Sequence, residues 1–104
     1  MSSSGKYSPP APDPELRRFR TAHELHVQGE PRAAIAAYEA YLHEYPNGRF
    51  VPEARYNSAL DAIKVGDRDA ARRLLQPFAD GAYGGYRRTE AQRLLEALGS
   101  DSSR

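Results

Sequence analysis

From about residue 15 to residue 98, apolar side chains recur every three to four positions, and proline and glycine cut the pattern into segments. Leu16, Phe19, Ala22, His23 and His26 fall at helical spacing. Asp13 can cap that segment, Pro14 suits a first turn and Gly29 supplies a left-handed stop, so a helix is predicted over about 15–28. A second is predicted from Pro31 to Tyr45, burying Ala34, Tyr38, Tyr41, Leu42 and Tyr45, and Pro46-Asn47-Gly48 ends it. A third begins at Pro52 and carries Tyr56, Ala59, Leu60 and Ile63 to a stop at Gly66. Asp67 caps a fourth with the face Ala71, Leu74, Leu75 and Phe78, and Pro77 predicts an irregular last turn. Gly81, Gly84 and Gly85 make a loose connection to a fifth helix, from about Tyr86 to Leu98, which Gly99 closes. No alternating strand pattern competes, and the fold class is all-α.

The segments repeat. Gly29 and Gly66 are 37 residues apart, and so are Phe19 and Tyr56, Ala22 and Ala59, Ala34 and Ala71, Tyr38 and Leu75, and Tyr41 and Phe78. Matched positions have matched tasks: a small residue where helices touch, a glycine at the turn, a bulky residue one turn beyond an alanine. Outside these hairpins the composition changes. Residues 1–14 are rich in serine and proline and residues 99–104 read GSDSSR. Neither stretch has enough apolar surface to offset its ordering entropy, so both are expected to be disordered, the first as a leader or tether. The folded part is expected to span 15–98.

At the positions Ala22, Gly29, Ala34, Tyr38 and Pro46, and again at Ala59, Gly66, Ala71 and Leu75, the chain resembles the tetratricopeptide repeat, a helix–turn–helix unit of about 34 residues. The longer period fits the link Asn47–Val51, the second unit lacks the closing proline, and Arg18 and Arg55 stand where the family carries a tryptophan. The stretch YEAYLHEYPNGRFVPEARYNSAL is similar to repeat segments of bacterial cell-envelope proteins: the Tol–Pal-associated periplasmic coordinator, the outer-membrane assembly lipoprotein and the C-terminal repeats of membrane anti-sigma factors. The resemblance implies an α-α superhelix of two repeats plus a C-terminal capping helix. One hairpin cannot bury its apolar faces alone, and Ala91, Leu94, Leu95 and Leu98 of the fifth helix can cover the second. It also implies a function, because first helices of successive repeats in that family line a concave groove that holds a peptide or partner protein. Carried over by the offset, the groove would pair Phe19 with Tyr56, Arg20 with Asn57, His23 with Leu60, His26 with Ile63 and Val27 with Lys64, and Arg93 would extend it into the fifth helix. Such a mixture suits a short extended segment with some acidic character. A periplasmic or cell-envelope setting, within a longer protein, goes with the resemblance.

Composition narrows the alternatives. Fifteen basic and fourteen acidic residues leave a net charge of +1, so no global field draws the chain to nucleic acid. The arginine pairs 17-18, 72-73 and 87-88 each spread over about 100° of a helix and have acidic neighbours. Cysteine is absent, which removes disulfides and thiol chemistry without fixing a compartment. No apolar run approaches the ~18 residues of a membrane span, and no signal peptide is present in the chain as given, which leaves a cytoplasmic setting as the alternative. His23 and His26 share a face, but a zinc site needs at least a third ligand and none is evident, so no metal or other cofactor is expected. GAYGG lacks the lysine and the preceding strand of a phosphate loop, and no histidine has a serine–acid arrangement around it, so no enzyme activity is expected. The competing function is homo-oligomerisation through exposed repeat edges.

Overall fold

The structure is a computed structural model describing residues 13–102, with side chains through Gly99. The described residues form five helices and no strand: α1 (Pro14–Val27), α2 (Pro31–Glu44), α3 (Val51–Lys64), α4 (Arg68–Ala79) and α5 (Arg88–Ser102). The fold is all-α. First helices begin at residues 14, 51 and 88 and second helices at 31 and 68, so every element recurs 37 residues on.

The caps explain the boundaries. Asp13 Oδ1 accepts from Leu16 N at 3.1 Å, and Asp67 Oδ1 accepts from Ala70 N at 3.1 Å. The two hairpin turns close alike, with φ +79° at Gly29 and +84° at Gly66, a conformation that favours glycine. Behind them Glu30 N reaches Leu25 O at 3.0 Å and Asp67 N reaches Ala62 O at 2.8 Å, which satisfies helix-end carbonyls.

Burial follows the repeat. Ala22 and Ala34 in one hairpin, and Ala59 and Ala71 in the other, are fully buried and let the helix axes close up. Tyr38 and Leu75 are equivalent and fully buried, as are Tyr41 and Phe78. Helix α3 joins the two cores, giving Val51 and Ala54 to the first and Tyr56, Ala59 and Ala62 to the second. Helix α5 closes the second core with Ala91 and Leu98, and Arg72 Nη2 donates to Leu98 O at 3.3 Å. Its backbone packs on α4 and makes no close approach to α3, whereas α1 and α3 do touch.

Several expectations change. Helix α4 stays helical through Pro77 to Ala79 in place of an irregular last turn: the proline removes one donor, and Asp80 N to Gln76 O at 3.0 Å carries the helix past it. Helix α5 starts at Arg88, not Tyr86, and runs through Gly99 to Ser102, so Gly99 does not end it. The tail expected to be disordered from residue 99 is therefore helical to 102, and 103–104 lie outside the described residues. So does most of the expected leader, residues 1–12, while Asp13 and Pro14 belong to the start of α1. The glycine-rich connection is braced. Tyr83 lies 4.5 Å and Tyr86 6.2 Å from Phe78, centroid to centroid, and Arg87, at φ +56°, sits over the rings of Tyr56 and Tyr86.

Candidate protein-interaction face

Two polar contacts reach from one hairpin to the next. His26 Nδ1 on α1 donates to Asp61 Oδ1 on α3 at 2.8 Å, and Asn57 Nδ2 on α3 donates to Tyr38 Oη on α2 at 2.9 Å. Asp61 is wholly buried, and a carboxylate taken from water is tolerated only with a partner, so this contact holds α1 against α3. Burial pushes the Tyr38 phenol up to about 12, helped by the Asp61 charge and opposed by the Asn57 bond. Together the two contacts form a seam that ties α3 to both helices of the first hairpin.

The expected groove residues divide into two groups around that seam. His23 is exposed, its ring stacked 5.9 Å from Phe19, and Lys64 and Arg93 are exposed. His26 and Leu60 are half-buried, as is Ile63, while Val27 is 69% exposed. These form the accessible part. Tyr56 is not a groove anchor: only 6% exposed, it lies edge-on to Phe78 at 5.7 Å with Arg87 4.9 Å above it. The eight-residue connection after α4 covers it, which the offset to Phe19 did not reveal. Asn57 is committed to Tyr38. Phe19 is half-buried and stacks on Phe50 at 4.7 Å, so it belongs to the first core. Arg20 does not pair with Asn57 across a groove. Its counterpart faces back onto the preceding hairpin, so Arg20 faces outward at the α1 end, where it lines a shallow depression with Arg17, Thr21 and Glu24. Among the described residues, no three histidines or acids gather as a metal site would need.

The inter-hairpin link carries a clamp that the helical spacing does not announce. Glu15 accepts from Tyr41 Oη at 2.7 Å, from Arg49 N at 2.6 Å and from Arg49 Nε at 3.2 Å, while Arg49 Nη2 donates to Asp13 at 2.7 Å. Tyr41 Oη in turn accepts from Phe50 N at 2.9 Å. Gly48 permits this, since a Cβ there would run into the Glu15 carboxylate and the Tyr41 hydroxyl. Only the adjacent Asn47-Gly48 turn signal hinted at it. The Tyr41 hydroxyl first, then Arg49, holds the Glu15 carboxyl below its usual range against the opposing effect of burial. The Leu16 amide first, then Arg49, lowers Asp13. Both carboxyls are depressed on folding, so their contribution is complete above the unfolded values near pH 4 and is lost as pH falls through the folded ones. Thermal melts of the parent should therefore lose stability below about pH 4, and Glu15→Gln should flatten that acid limb. An unchanged limb in Glu15→Gln would show that the clamp is not what titrates.

Comparison of the chain with protein-family models, with curated proteins and with solved structures finds no match. No helix among the described residues is long and apolar enough to cross a membrane.

Proposed function

We propose that this chain is a divergent tetratricopeptide-like superhelix serving as a protein-interaction scaffold, with a peptide or partner segment held against the face that α1 and α3 share. The observation that carries this reading is the contact between α1 and α3, one period apart and pinned by His26–Asp61. Side chains exposed along them thereby form one preorganised surface. Val27 and Leu60 offer apolar contact, His23 and Lys64 offer donors, and Arg93 adds charge on α5. An extended segment pairing an apolar side chain with an acidic one fits that set. The cell-envelope setting rests on the sequence resemblance alone.

Self-association through the repeat edges is the weaker reading. Ala54, Asn57 and Asp61 of α3 face the first hairpin, and their counterparts on α1 are Arg17, Arg20 and Glu24, all exposed. At the other end α5 exposes Gln92 and Glu96. Charged end faces suit caps, not an apolar interface.

A random peptide library selected on the full chain tests the proposal. It should return a class of peptides whose affinity falls about tenfold or more in Val27→Glu or Lys64→Glu, with the melting temperature unchanged because both sites are exposed. A selection in which no class responds to either change sinks it.

A further inference from the structure

On the other side of the molecule α2 and α4 do not approach each other, and the gap above α3 is a cleft of about 250 Å³. Ile35 and Leu42 form one wall, Ala70 and Leu74 the other, and Ser58 and Ala62 line it from α3. The cleft is deep because α3 is small here: at the place of Ala62 the first hairpin carries Leu25, one period earlier.

Ser58 is the second observation. Its side chain is 3% exposed and its hydroxyl has no hydrogen-bond partner among the described residues. A helical serine or threonine ordinarily bonds the carbonyl one turn back. Thr21, its counterpart on α1, does so, donating to Arg17 O at 3.0 Å. A buried hydroxyl left unbonded is costly, and an occupant of the cleft would relieve that cost. Glu39 and Arg73 also line the cleft from opposite helices, and neither forms an ion pair among the described residues. The volume lies below the ~300–1,000 Å³ of small-molecule pockets and suits one side chain.

We infer that this cleft is a second docking site, which takes one aliphatic or aromatic side chain of a partner protein while the Ser58 hydroxyl turns about its Cα–Cβ bond to meet a polar group beside it. Glu39 and Arg73 orient the segment, with a basic residue toward α2 and an acidic residue toward α4. This site is independent of the α1–α3 face.

The test selects a random peptide library on the full chain carrying Val27→Glu, which disables the other face. Enriched peptides should share a leucine, isoleucine, methionine or phenylalanine with a basic residue on one side and an acidic residue on the other. A synthesised consensus peptide should bind at least about tenfold more weakly to Ala70→Leu, which fills the cleft. In Ser58→Ala its affinity should drop roughly three- to tenfold while the chain melts no lower than the parent, an outcome a merely structural serine would not give. Exchanging the charges, Glu39→Arg with Arg73→Glu, should invert the charge order of the selected peptides. No enriched class, or a class indifferent to Ala70→Leu and Ser58→Ala, overturns the inference. Self-association in sedimentation that Ala70→Leu abolishes would make the occupant a second copy and overturn it equally.

Discussion

Tyr56→Ala is expected to cost about 3–5 kcal/mol, the range for truncating a buried aromatic ring. Tyr56 fills the corner where α3, α4 and the 80–87 connection meet, edge-on to Phe78 and beneath Arg87. Truncation leaves a void against Phe78, removes a cation–π contact and loosens a connection already holding a left-handed arginine. In a domain of this size each kcal/mol moves the melting temperature by roughly 4–8 °C, so the variant should melt at least about 12 °C lower. Tyr56→Phe, which keeps the ring, should melt close to the parent. A Tyr56→Ala chain that melts normally but loses peptide binding would return Tyr56 to the groove.

Leu75→Ala is expected to cost about 2–5 kcal/mol. Leu75 is fully buried in the cluster that includes Ala59, Ala71 and Ala91, so it touches the helices on both sides of α4. Three alanines cannot swing in to refill the space, which puts the loss toward the upper part of that range. The second core should fail first, because the first core draws on α1, α2 and the start of α3 without Leu75. Hydrogen exchange in Leu75→Ala should therefore quicken in α4 and α5 before α1 and α2. Uniform quickening along the chain would mean that the hairpins do not behave as separate units.

Where helices begin and end was legible because stiff and permissive residues mark the places. Asp13-Pro14, Gly29, Pro31, Pro46 and Gly66-Asp67 sit at the observed boundaries, and the 37-residue recurrence follows from them. Gly99 misled because a glycine is costly inside a helix without forbidding it. Helix rotation was only partly legible. Phe19 and Tyr56 occupy equivalent places, yet Phe50 from a short link flanks one and a longer connection roofs the other. Spacing fixes which residues share a face, and the connections decide how far that face is covered. The Glu15–Arg49 clamp joins residues 34 apart in sequence, and no periodicity announces such a pair. Asp61 did leave a trace, an acid between Leu60 and Ala62 in an otherwise apolar stretch, which signals a buried partner.

On the proposed function, α1 and α3 form one preorganised surface that holds a partner segment. Amide chemical-shift mapping of the isotope-labelled full chain, titrated with the tightest peptide selected on an Ala70→Leu chain whose α2–α4 cleft is filled, tests that surface alone. Shifts should concentrate at His23, Val27, Leu60 and Lys64, with Leu75 and Phe78 unmoved. Shifts confined to the end faces at Arg17, Arg20 and Glu24 or at Glu96, or to α2 and α4 alone, would contradict it.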